Sequence, residues 1–201
     1  MTALLKFSRL IDTLNEWLGR CVMWLVLAAV LISAGNAILR KAFSIGSNAW
    51  LEIQWYLFAA VFMLGVGYVF LKNAHVRIDF IATRLSKRTN AIIDSIGIVV
   101  FIVPLSLIMI DLGWPLFERA WTSGETSQNA GGLIRWPVLL LIPAGFVVLL
   151  LQALSELIKR IAFLRGVLPE PFTVEKGKSD AELLAEELEV EAQRKLTEGA
   201  R

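Results

Sequence analysis

A single cysteine, Cys21, and a single histidine, His75, are all that 201 residues offer toward redox or zinc chemistry. One thiol forms no intrachain disulfide, and one thiol with one imidazole falls short of the ligands of a structural zinc site. No catalytic, cofactor or metal residues are therefore expected, and Cys21 reads as a small apolar residue. Charge is scarce in a patterned way: charged residues make up 19% of the chain, yet the middle of each long apolar block has no Asp, Glu, Lys, Arg or His. Strict polar/apolar alternation is missing too, which excludes a membrane β-barrel.

What the chain does have is apolar residues, 56% of the total, in blocks close to the length a helix needs to cross a bilayer. Four blocks qualify, at about 21–39, 50–71, 91–112 and 138–157. Backbone groups inside lipid must be satisfied within their own segment, so four separate blocks imply four helices. The expected fold is an all-α membrane protein with residues 1–20 as an amphipathic interfacial helix, 21–160 as a four-helix membrane domain and 161–201 as a cytoplasmic tail carrying its own helix. The first block has the length of a full span with twenty residues before it, so it reads as a retained helix rather than a cleaved signal.

Basic residues give the orientation. Lys6, Arg9 and Arg20, then Lys72, Arg77, Arg84, Lys87 and Arg88, then Lys159, Arg160 and Arg165 make eleven on one side, against Arg40, Lys41, Arg119 and Arg135 on the other. The excess side is the cytoplasmic one, which places both termini and residues 72–79 on the cytoplasmic side of a membrane crossed several times. Trp50, Trp114, Trp121 and Trp136 then fall at the outer interface and Trp17 and Trp24 at the inner one, where amphipathic rings are favoured.

In the arm, Phe7, Leu10, Ile11, Leu14 and Leu18 recur at helical spacing among charged residues, the pattern of a helix lying on the inner leaflet. In the tail, Ser179 with Glu182 forms a capping box ahead of Leu183, Leu184 and Leu188, which predicts a solvated helix. Residues 113–137 read as a long outer loop, aromatic at first and then polar and glycine-rich, with more length than packed helices require. At the start of span two, Ser47 or Asn48 is placed to cap, and Glu52 sits in a polar rim with Gln54 and Trp55. Glu52 has two readings, a favourable charge near a helix amino terminus or a contact to another subunit. Pro104 is a possible kink in span three.

Autonomous transport is poorly served by such a chain. Secondary transporters show ionisable residues near the midplane, broken helices or related halves, and none of these is visible. An independent four-helix transporter or channel is the alternative function, and a small membrane enzyme is a third class. The order and spacing of EIQWYLF (52–58), GVGY (65–68), NAHVRID (73–79), SGETS (123–127), GGL (131–133), WP (136–137) and IPAGFVVLLLQALSELIK (142–159) resemble the small membrane subunit of tripartite ATP-independent periplasmic (TRAP) transporters, the DctQ-type family. The resemblance covers roughly residues 10–160. It implies a large multispan partner subunit that carries the substrate and sodium sites, and a periplasmic binding protein that delivers an organic acid or related solute. It also implies a scaffolding role here, with membrane lipids as further partners and no nucleic acid. Similar chains tend to have a lysine two residues after the WP pair; Leu139 stands there, with Arg135 before the pair.

The residues expected at partner contacts are Glu52, Gln54 and Trp55, then His75, Arg77 and Asp79, then Glu125 and Arg135. His75 and Asp79, four apart, would share a helical face and order the turn between spans two and three.

Overall fold

The computed structural model describes residues 2–44, 46–73 and 85–169. Among these, four helices are long and apolar enough to cross a membrane: α1 (Thr2–Phe43), α2 (Asn48–Leu71), α3 (Lys87–Ser123) and α4 (Trp136–Leu164). His75, Arg77 and Asp79, and the tail with its Ser179–Glu182 capping box, lie outside the described residues.

Two helices run longer than the apolar blocks suggest. α1 continues without a break through residue 20, so the expected arm is the amino-terminal half of one helix about 63 Å long. Nothing in the stretch around Gly19 and Arg20 breaks a helix, and Gly19 is packed rather than turned: its face meets the ring of Tyr68. α3 continues to Ser123, so residues 113–123, read as loop, are helical. The cause is aromatic spacing. Trp114, Phe117 and Trp121 lie along one side of the helix, with ring centroids 5.5 and 6.1 Å apart in sequence order. Trp136 closes the group, 6.4 Å from Phe117 and 4.7 Å from Trp121, so the upper part of α3 is held against the start of α4.

The disturbance expected at Pro104 takes the form of a π-helical turn at Ile98–Ile102. Proline supplies no N–H and crowds the carbonyl four residues back, which is Val100, and a wider turn relieves that crowding without breaking the span. At the other end of α3, Ser86 caps the helix by accepting the Thr89 amide at 3.1 Å. α2 ends where Asn73 takes up the left-handed conformation at φ 52°.

The interior of the bundle is small and polar, and the large apolar side chains point outward. Ala29, Ala91, Ala120, Ala153 and Ala162 are buried, while Trp24, Phe62 and Phe101 are about 70% exposed. This inverts the arrangement of a water-soluble bundle. Lipid is as apolar as leucine, so the helices gain by close approach of small residues rather than by hiding large ones. Backbone comes close to backbone between α2 and α4, where a Cβ on Gly145 would stand 2.7 Å from the carbonyl oxygen of Met63. A Cβ on Gly67 would overlap the Asn15 amide and meet Val148. α4 touches all three other helices, α1 and α2 pack on each other, and α3 packs chiefly on α4.

Candidate functional site

Polar side chains gather at two levels of the bundle. Glu52 and Lys72 on α2 are twenty residues apart, as are Trp136 and Glu156 on α4, which at 1.5 Å per residue is about 30 Å, the thickness of a bilayer's hydrocarbon core. The two polar levels therefore bound an apolar belt of membrane width.

At the first level Glu52 is 3% exposed although its helix begins only four residues earlier. Its carboxylate accepts three bonds from the loop between α3 and α4. The Asn129 side-chain amide and the Leu133 backbone N–H each donate at 2.7 Å, and the Ser127 hydroxyl donates as well. The loop is folded around this anchor. Thr126 and Ile134 form an antiparallel bridge, the Ser127 amide donates to Leu133 at 2.8 Å, and the Arg135 amide donates to Glu125 at 2.9 Å. The side chains of Glu125 and Arg135 form an ion pair across its mouth. Two further residues of α2 reach the loop: the Asn48 amide donates to the Ala130 carbonyl at 3.0 Å and the Tyr56 hydroxyl to that of Ile134 at 3.0 Å. Gly132 is required for the approach, since a Cβ there would come within 3.0 Å of Glu52 Oε1 and closer still to Ser127 Cβ.

Three expected contact residues, Glu52, Glu125 and Arg135, thus find partners inside the chain. Neither account of Glu52 as a helix-terminus charge or an intersubunit contact anticipated the loop. Ser47 stands at the amino-terminal cap of α2 without a side-chain bond to the helix, whereas Asn48 beside it binds the loop. Gln54 is half-buried and Trp55 is 64% exposed, so the tryptophan remains turned outward. Leu139, where similar chains have lysine, is half-buried in the first turn of α4.

The second level was missed in the sequence. Ser8, Asp12 and Asn15 on α1 face Gln152, Ser155, Glu156 and Lys159 on α4. The Ser8 and Ser155 hydroxyls are 2.7 Å apart, and Ser155 also donates to Asp12 at 2.7 Å. The Asn15 amide donates to Gln152 Oε1 at 2.8 Å, and Gln152 Nε2 donates to Asp12 at 3.0 Å and to Glu156 at 3.2 Å. Lys159 bridges Asp12, at 3.1 Å, and Glu156. Arg160, 2% exposed, binds Glu156 at 2.7 Å and reaches Asp94 of α3 at 3.4 Å, which ties the third helix into the same group. Beside it, Lys72 at the end of α2 meets Glu16 at 3.4 Å.

The signal for this cluster was spacing. Gln152, Ser155, Glu156, Lys159 and Arg160 fall at i, i+3, i+4, i+7 and i+8, one face of a helix. Ser8, Asp12 and Asn15 form a matching stripe on α1. Both stripes lie within or beside strongly apolar sequence, which hides them from a reading based on runs.

Chemically, the two clusters bind protein to protein. No group of three or more His, Cys, Asp or Glu placed to hold a metal ion occurs among the described residues. One cavity, about 250 Å³, is lined by Ile32, Ala49, Trp50, Ile53 and Leu133 and offers no charged group to a substrate.

No curated protein and no solved structure matches the chain. A family does: that of the tripartite ATP-independent periplasmic transporters, DctQ component, matches residues 29–163. The matched stretch contains α2, α3, all but the last residue of α4, the Glu52-anchored loop and the α4 half of the second cluster. Its members are transporter components and not enzymes, in keeping with a fold whose polar residues join helices and loop to one another. The chain belongs to the DctQ family, the small membrane component of TRAP transporters.

Proposed function

We propose that this chain is the small permease subunit of a sodium-coupled importer, scaffolding a large multispan subunit for uptake of an organic acid or related solute that a periplasmic binding protein delivers. The observation that carries this reading is that the charged residues of both clusters have partners within the chain. Glu52 is occupied by three donors, and Asp12, Glu156, Lys159 and Arg160 occupy one another. A transport site needs polar groups converging on an accessible cavity near the midplane, and the cavity beside Trp50 is apolar. This reading assigns the substrate and sodium sites to the large subunit.

The basic-residue count supports an orientation with both termini in the cytoplasm of the bacterium and the Glu52-anchored loop in the periplasm. In that orientation the outward stripe Leu4, Phe7, Leu10, Leu14 and Trp17 of α1 meets the inner leaflet or the large subunit, while its opposite face is taken up by α4. The test is reconstitution. Proteoliposomes holding both membrane subunits, supplied with the binding protein and a panel of labelled organic acid anions, take up solute down a sodium gradient, and vesicles with this chain alone take up none. Sodium-driven uptake by this chain alone would contradict the reading and favour an autonomous four-helix transporter.

A further inference from the structure

Among the described residues, Asp111 is a carboxylate inside the apolar belt that has no partner. It lies seventeen residues after Asp94, whose level is marked by Arg160, and seven residues before Glu118, about 25 Å and 10 Å along the helix. The side chain is exposed and has no hydrogen bond or ion pair among the described residues. Its direction follows from the seam of α3. Ser106, Gly113 and Ala120 are buried at seven-residue spacing, and Gly113 stands against Ile142 and Pro143 of α4. Asp111, two residues before Gly113, is rotated about 200° from it and so points away from α4. Leu107 and Ile108, both about half exposed, lie on the same outward side.

The backbone adds a second open acceptor at the same residue. The helical donor to the Asp111 carbonyl would be the amide of residue 115, which is Pro115 and has none. A carboxylate and a carbonyl are thus presented together on an apolar helix face. Hydrocarbon satisfies neither, and ionisable residues in membrane helices are found paired or facing protein rather than lipid.

We propose that this face of α3 receives a membrane helix of the large subunit that presents a lysine or arginine to Asp111. A second copy of this chain is a poor occupant, because a symmetric contact would bring two Asp111 carboxylates together. A basic side chain has the opposite charge and several N–H donors, enough for both the carboxylate and the carbonyl. The inference rests on the assembly reading above and adds to it the helix face and the chemistry of the contact.

The experiment uses the full chain, tagged and coexpressed with its large subunit. Asp111→Lys is expected to lower the copurified large subunit by about tenfold or more, and Asp111→Asn to lower it by about a few-fold. Both variants purified alone keep wild-type helicity and melting temperature, because Asp111 is exposed and has no hydrogen bond or ion pair among the described residues. A photocrosslinking residue at Ile108, one turn away on the same side, captures the large subunit, and replacing the captured basic residue with Asp restores assembly to Asp111→Lys. Wild-type assembly by Asp111→Lys, or capture of only lipid or a second copy from Ile108, overturns the inference. Failure of the wild-type chain to copurify any large subunit would instead contradict the assembly reading itself.

Discussion

Glu52 and Arg160 are buried charges at opposite ends of one apolar belt, yet they hold different kinds of structure. Glu52 gathers donors from a single loop, one of them a backbone amide, and so fixes the shape of a connection. Arg160 and its neighbours are side chains meeting side chains across three helices, with Asp12, Glu156 and Asp94 drawn from positions far apart in sequence. Damage to the first therefore stays local, while damage to the second loosens the bundle.

The largest effect is expected from Arg160→Met. It removes a buried cation that joins α3 to α4, and breaking a buried ion pair costs about 3–5 kcal/mol; the low end is expected because Lys159 remains on Glu156. Thermal unfolding in detergent should show the loss, and an unchanged melting temperature would make the cluster incidental. The next effect sharpens the comparison by isolating one link. A double-mutant cycle on Asn15→Ala and Gln152→Ala should return a coupling of about 0.6–1.7 kcal/mol, the range of interhelical hydrogen bonds in membranes. A coupling of zero would mean that α1 is held to α4 by shape alone. Glu52→Gln is expected to have the smallest effect on global stability. It leaves one carbonyl oxygen for three donors, so hydrogen exchange at the Leu133 amide should quicken while the melting temperature stays where it was. A drop in melting temperature comparable with that of Arg160→Met would erase the distinction between the two ends.

Much of this was legible in the sequence, for reasons that differ by region. Four apolar blocks announced four helices because the bilayer fixes the length of each. Glu52, SGETS and GGL stood out because polar and glycine residues are conspicuous beside apolar spans, and they proved to be parts of one loop and its anchor. The partners of Glu52 were not legible, since Ser127, Asn129 and Leu133 lie more than seventy residues away and nothing local specifies the pairing. The extent of α3 was misread because aromatic residues at an interface look like the start of a loop, whereas Trp114, Phe117 and Trp121 are stacked along a helix. The π turn before Pro104 leaves no distinct composition. The second cluster could have been found from the i, i+3, i+4, i+7 spacing of Gln152, Ser155, Glu156 and Lys159, which a reading guided by hydropathy passes over.

The central claim is that this chain's polar residues act by holding structure and assembly together rather than by handling solute or ion. The most direct measurement is sodium-dependent uptake per assembled complex in proteoliposomes, comparing wild type with Glu52→Gln and Asp12→Asn, with the amount of large subunit counted in each preparation. Any loss of uptake is predicted to track the loss of assembled complex, with the sodium dependence and solute preference of each remaining complex unchanged. A variant that assembles fully and yet shows altered sodium dependence or solute preference would contradict the account and place that residue in the transport site.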